Sequence, residues 1–195
     1  MRWVLSLLVL GVVGILLGSG TFAYFSDTEE SRGNYIAAGT LDLEFSEDGN
    51  NWFSYTSGYP VLQATDVKPG DSVSGTLYVR NNGTIDGDLY LNISITQCND
   101  NDVTEPEGSN NNQCEIKDKI WVNVTKLDGN WINKTLAQWD NGGYESLGDL
   151  SGGDQGTIDY EINLPASVGN EIQDDRVDFN IEFLLLQDGA PQPSS

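Results

Sequence analysis

The chain has 195 residues, with 9 Lys+Arg against 30 Asp+Glu, a formal net charge of −21, two cysteines and no histidine. The length suits one ordinary domain with extensions, and so acidic a chain without a basic stripe repels phosphate backbones and anionic headgroups, which argues against nucleic acid as a partner. Without histidine there is no Ser-His-Asp or Cys-His nucleophile pair, no His-ligated zinc or copper site and no neutral-pH proton shuttle, so what remains is carboxylate chemistry, oxygen-ligated cations, carbohydrate recognition, or no chemistry.

The N-terminus carries Arg2, then an almost purely apolar run over 4–17, then the small residues Gly18-Ser19-Gly20-Thr21-Phe22-Ala23. This predicts a signal peptide over 1–23, cleaved after Ala23 or Tyr24. The alternative is an uncleaved anchor, since 3–23 is just long enough to span a bilayer. Either reading puts the rest of the chain outside the cytoplasm, secreted or at the cell surface, with membrane contact only through this segment. Residues 24–38 follow as an extended segment, whose stretch 26–34 is polar and has no period.

From Gly39 the pattern becomes two-residue alternation: in Thr40-Leu41-Asp42-Leu43-Glu44-Phe45, Leu41, Leu43 and Phe45 face one way and the acids the other, as in a half-buried strand. The same alternation predicts strands over 73–79, 89–95, 120–124, 158–162 and 177–183, with weaker ones near 59–65 and 130–135 and one short helix over about 133–139. Turn residues separate them at Lys68-Pro69-Gly70-Asp71, Asn81-Asn82-Gly83-Thr84, Asp86-Gly87-Asp88, Asp128-Gly129-Asn130 and Ser151-Gly152-Gly153-Asp154. Strands without long intervening helices predict an all-β antiparallel sandwich over 39–186. The tail 187–195, with Pro191 and Pro193, is expected to be disordered. The last strand breaks its alternation at Phe183-Leu184-Leu185-Leu186, which predicts either a central strand buried on both faces or a second face covered by another subunit.

Cys98 and Cys114 enclose a polar segment, and the most economical reading is one disulfide closing that loop, contributing about 3 kcal/mol in the chain-entropy model. A catalytic thiol pair would need CxxC spacing and a basic neighbour, and both are missing. The loop carries Asp100, Asp102, Glu105 and Glu107, a density of hard oxygen ligands that suits calcium, although the spacing is not that of an EF-hand and a solvated acidic loop is the plainer reading. Four Asn-x-Ser/Thr sequons, at Asn82, Asn92, Asn123 and Asn133, are candidate glycosylation sites; alternation turns Asn92 and Asn123 outward. Trp52, Trp121, Trp131 and Trp139 could stack on sugars or pack in the core.

Three stretches together resemble the TasA/camelysin family of secreted matrix-fibre proteins, whose relatives include archaeal bundling pili. They are the end of the export segment, Gly20-Thr21-Phe22-Ala23-Tyr24-Phe25-Ser26-Asp27; the nearby Ala37-Ala38-Gly39-Thr40-Leu41-Asp42-Leu43; and Val67-Lys68-Pro69-Gly70-Asp71 leading to Leu77-Tyr78-Val79-Arg80-Asn81-Asn82-Gly83. The resemblance implies a jelly-roll subunit that polymerises head to tail with copies of itself by donating its N-terminal segment as a strand to the next copy. On this chain the donor is about 25–38, with Phe25, Tyr35 and Ile36 as apolar anchors, although 26–34 is polar for a deeply buried strand. Some members carry a metalloendopeptidase designation; this chain has no HExxH and no histidine, so that activity is not carried over and no cofactor is expected beyond a possible calcium ion. The expected function is a non-catalytic secreted filament subunit of a biofilm matrix or bundling pilus. The alternatives are a monomeric surface module binding carbohydrate or calcium, and a carboxylate-dependent hydrolase.

Overall fold

The computed structural model describes residues 38–54, 67–100, 114–169, 172 and 175–193. The predicted signal segment, the anchors Phe25, Tyr35 and Ile36, the weak strand near 59–65 and the calcium candidates Asp102, Glu105 and Glu107 lie outside them. The described residues form an all-β antiparallel sandwich, as the alternation predicts. Its strands are β1 (Leu43–Ser46), β2 (Ser72–Asn81), β3 (Gly87–Asp100), β4 (Trp121–Thr125), β5 (Trp131–Thr135), β6 (Glu145–Leu150), β7 (Gln155–Asn163) and β8 (Asp175–Gln187). They make a five-stranded sheet A in the order β1-β2-β7-β4-β5 and a three-stranded sheet B in the order β6-β3-β8. Two short helices, α1 (Ile116–Lys119) and α2 (Leu136–Asp140), complete the elements. Among the described residues no helix is long and apolar enough to cross a membrane.

The core follows from the period of two. Leu77 and Val79 of β2, Leu89, Leu91 and Ile93 of β3, Val122 and Val124 of β4, and Ile158 and Ile162 of β7 all fall on inward positions and are at most 3% exposed. Each such side chain contributes about 1.5–3 kcal/mol by burial. Helix α2 begins with a capping box, in which Thr135 Oγ1 accepts from Gln138 N and Gln138 Oε1 accepts from Thr135 N. It drives Leu136 and Trp139 into the core, and Trp139 Nε1 donates to Val122 O at 2.7 Å. Trp139 is therefore a core residue and not a sugar platform.

The predicted strand near 130–135 is β5, so the helix starts only at Leu136 rather than at 133. β6 and α1 have no counterpart in the alternation. In β6 the inward residues Leu147 and Leu150 are three apart, because Leu147 is inserted at a bulge where the register with β3 shifts between Leu89 and Tyr90. A second bulge lies between Ile95 and Gln97 in the pairing of β3 with β8, and Ile95 N, past the last β3–β6 partners Leu91 and Glu145, donates to Asp140 Oδ1 at 2.7 Å. Among the described residues the last strand is an edge strand of sheet B, and Phe183, Leu184, Leu185 and Leu186 are each half-buried, so the two-sided burial expected of a central strand is not found. β8 also runs through Gln187, and the turn after it is held by Ala190 N to Gln187 O and Asp188 N to Asp86 O, so the chain stays tied to the domain past residue 186.

Candidate assembly surface

Asn81 occupies an inward position, two residues after Val79, and is fully buried. Its Nδ2 donates to Ile85 O at 2.8 Å and Leu150 O at 3.1 Å, and its Oδ1 accepts from Gly83 N at 3.0 Å and Asp42 N at 3.5 Å. One amide thus joins the start of β1, the β2–β3 turn and the end of β6. Around it the β1–β2 register continues beyond β1 itself, through Asn82 N to Asp42 O at 2.7 Å and Thr84 N to Thr40 O at 2.8 Å. Gly83 is required there, because a Cβ would collide with Thr40 O. Residues 40–42 are therefore clamped to the domain from two sides.

At another border of the sandwich the strands are less fully covered. β8 has β3 as its only strand partner among the described residues, and its inward residues Phe179, Ile181, Phe183 and Leu185 are half-buried, whereas Leu89, Leu91 and Ile93 opposite them on β3 are buried. β1 pairs with β2 only over Tyr78 to Asn81, so residues 72–77 of β2 have one strand partner, β7, among the described residues, and Val73 is 39% exposed. A small apolar cavity of about 10 Å³, room for one water at most, lies between the sheets and is lined by Leu77, Leu91, Ile93, Val124, Ile158, Tyr160, Ile181 and Phe183. Phe183 also meets Phe45 of β1, with ring centroids 5.0 Å apart. Tyr160 lies across its cross-strand partner Gly75, where any Cβ would overlap the phenol ring, and lines the same cavity.

The other predicted residues fall as follows. A Cys98–Cys114 disulfide, with Cα atoms 5.7 Å apart, fastens the far half of β3 to the chain entering α1. Asp100 ends β3, and among the described residues no group of three or more His, Cys, Asp or Glu could hold a metal ion. Asn82 and Asn133 are exposed; Asn92 and Asn123 lie on outer faces but are half-buried. Trp52 is covered by Arg80, whose guanidinium sits 4.4 Å from the ring centroid while its Nε donates to Glu44 Oε2 at 2.6 Å.

Three features do not follow from the alternation. Asn81 carries a signal of its own, a polar residue at an inward position of an apolar alternation. The pairing of Gly75 with Tyr160 carries none without the register. The third is a carboxylate pair: Asp88 and Asp149 stand directly opposite on β3 and β6 and share a hydrogen bond, and that bond to Asp149, with desolvation and the charges of Asp149 and Asp188, raises the Asp88 carboxyl above its ordinary value. Asp48 shows the opposite effect, held well below the ordinary range by backbone N–H donors of Asn51 and Asn50 in its turn.

Among solved structures, the chain is similar to one described as "AvmM Catalyzes Macrocyclization in Alchivemycin A Biosynthesis", at 12% identity and a TM-score of 0.32, covering 80% of this chain and 91% of that one. It is also similar to the sporulation control protein Spo0M from Bacillus subtilis, at 16% identity and a TM-score of 0.24, covering 80% and 46%. Likenesses this distant carry no functional argument. No curated protein matches the chain. The family model described as camelysin metallo-endopeptidase matches residues 4–183. A peptidase metal of that kind needs neutral nitrogen, thiolate or clustered carboxylate donors; the chain has no histidine, its two cysteines are joined, and the described residues gather no donor set, so they do not fit a metal centre. The match covers nearly the whole chain, which belongs to the camelysin family.

Proposed function

We propose that the protein is a secreted, non-catalytic structural subunit of an extracellular filament, in which segment 25–38 of one copy adds as a strand to the sandwich of the next. The observation that carries this reading is the row of half-buried inward residues Phe179, Ile181, Phe183 and Leu185 on β8, a strand with one partner among the described residues. A strand laid there gains backbone hydrogen bonds from the edge and covers the half-buried row with its alternate side chains, so Phe25, Tyr35 and Ile36 supply the apolar contacts. The clamp of residues 40–42 by Asn81 and the 82–85 turn gives the donor segment a fixed point of departure. A contact between different surfaces of successive copies does not close, and it builds a fibre. The family membership and the export segment support an extracellular setting.

The test is negative-stain electron microscopy of the mature protein beside a variant lacking 25–38, with circular dichroism to show that the variant is folded. Filaments from the full mature chain and none from the folded variant are expected. Filaments from both would overturn strand donation, and a full mature chain that stays monomeric under all conditions would favour the surface-module reading instead.

A further inference from the structure

Strands β4 and β5 carry one five-residue pattern twice, Trp121-Val122-Asn123-Val124-Thr125 and Trp131-Ile132-Asn133-Lys134-Thr135. They pair antiparallel with Asn123 opposite Asn133, Trp121 opposite Thr135 and Thr125 opposite Trp131. With a period of two, the Trp, Asn and Thr of each strand share the outer face of sheet A, while Val122 and Val124 enter the core. Each sequon therefore has a tryptophan two residues before its asparagine, about 7 Å away along the same face.

The two copies are not equivalent. Asn123 sits between β5 and β7; its Oδ1 is buried without a hydrogen-bond partner, and its Nδ2 lies 3.5 Å from Glu161 Oε2. Asn133 is exposed on the outermost strand, and Trp131 beside it is 47% exposed, more open than Val73, the other large apolar side chain that stands exposed among the described residues. A tryptophan left this open beside an acceptor asparagine reads as a surface made to be covered. The remaining sequons lack that pairing. Tyr90 stands two residues before Asn92 but is only 6% exposed on a central strand, and Arg80 precedes Asn82, whose Nδ2 donates to Asp42 Oδ2 at 3.1 Å.

We infer that Asn133 carries an N-linked glycan whose first sugar packs its C–H face on the Trp131 ring. In the attachment step Asn133 Nδ2 displaces a polyprenyl phosphate or diphosphate carrier from C1 of its sugar. The N–C1 bond forms, the C1–O bond to phosphate breaks, the carrier leaves as an anion and the amide proton passes to a base of the transferase. Thr135 supplies the hydroxyl that completes the acceptor sequence. Placed there, the glycan also shields β5, whose only strand partner among the described residues is β4, from pairing with another chain. The inference rests on the export part of the proposed function but not on assembly, so an unmodified Asn133 in a protein that forms filaments overturns this inference alone.

Peptide mapping by mass spectrometry of the protein purified from its own source tests the site. Sugar mass increments are expected on the peptide containing Asn133 and none on the peptide containing Asn123. An Asn133 peptide found only unmodified, or a glycan on Asn123 in its place, overturns the assignment. Stacking is tested with Trp131→Ala, Asn133→Gln and the double variant made in the same host. Each single substitution of these exposed residues is expected to lower Tm by about 2–4 °C and the double variant by no more than either. Additive shifts overturn the contact between sugar and ring.

Discussion

The Asn81 corner and the β8 border are built from the same alternating strands but hold together by opposite means. At the corner a single buried amide meets four backbone groups, and three segments distant in sequence are fixed to one another. At β8 the register with β3 runs the length of the strand, yet Phe179, Ile181, Phe183 and Leu185 are covered from one flank and remain half-buried. Polar satisfaction fixes residues 40–42 to the turn after β2 and to the end of β6, whereas apolar burial at β8 stays unfinished among the described residues. The first is a corner held by a satisfied buried amide; the second is an apolar edge that the proposed assembly would cover.

Breaking the corner carries the largest effect. Asn81→Ala leaves Ile85 O, Leu150 O and Gly83 N without their partner in a buried place, for a loss of about 2–4 kcal/mol and a fall in Tm of roughly 5–15 °C by thermal circular dichroism. A loss below about 1 kcal/mol would mean that water replaces the amide and that the corner is not the fixed point described.

The border gives a smaller and more discriminating comparison, because Ile93 and Ile181 are cross-strand partners of the same chemistry. Ile93 is 0% exposed, so Ile93→Ala is expected to cost about 2–3 kcal/mol in the isolated monomer. Ile181→Ala is expected to cost about 1–2 kcal/mol, since part of that side chain already faces water. Denaturant unfolding of both variants measures the difference. Equal costs would show that β8 is already fully covered within one copy, leaving no vacancy for a second.

Much of this fold could be read from alternation alone. Strands β2, β3, β4, β7 and β8 and the inward set Leu77, Val79, Leu89, Leu91, Ile93, Ile158 and Ile162 follow from a period of two, because each strand buries one face. What alternation cannot carry is register and neighbourhood. β6 was hidden because the bulge at Leu147 turns a spacing of two into three, and the place of β8 at the rim was hidden because an edge strand and a central one can share the apolar run Phe183-Leu184-Leu185-Leu186. The candidate site was legible in its parts and not in its assembly: Tyr160 and Ile181 are plain inward residues until pairing with Gly75 and Ile93 places both on one small cavity between the sheets. The twin Trp-x-Asn-x-Thr pattern stood in the sequence, but only the opposition of Asn123 to Asn133 separates the tied asparagine from the free-standing one.

The smallest effect concerns a spot where polar groups conflict, unlike those at Asn81. Asp88 and Asp149 face each other across β3 and β6 with Asp188 nearby, and like charges directly opposite on a sheet are destabilising. The Asp88 carboxyl is raised, so between its unfolded and folded values the native state binds more protons than the unfolded chain. Stability from this site is therefore present at low pH and is lost as pH rises through the folded value, leaving the repulsion in full at neutral pH. Asp149→Asn removes it, and at this partly exposed, screened corner the gain at pH 7 is expected to be about 0.5 kcal/mol, or roughly 1–2 °C in Tm. Asp48 and Asp128, both lowered by backbone donors in their turns, have the opposite sign and lose their contribution only as pH falls below the ordinary carboxylate range, and they are common to both proteins. The difference in Tm between Asp149→Asn and the unaltered protein should accordingly shrink from pH 7 toward pH 4. A difference that stays constant over that range would mean that the two carboxyls share no proton, and that the only cost at this corner is one of packing.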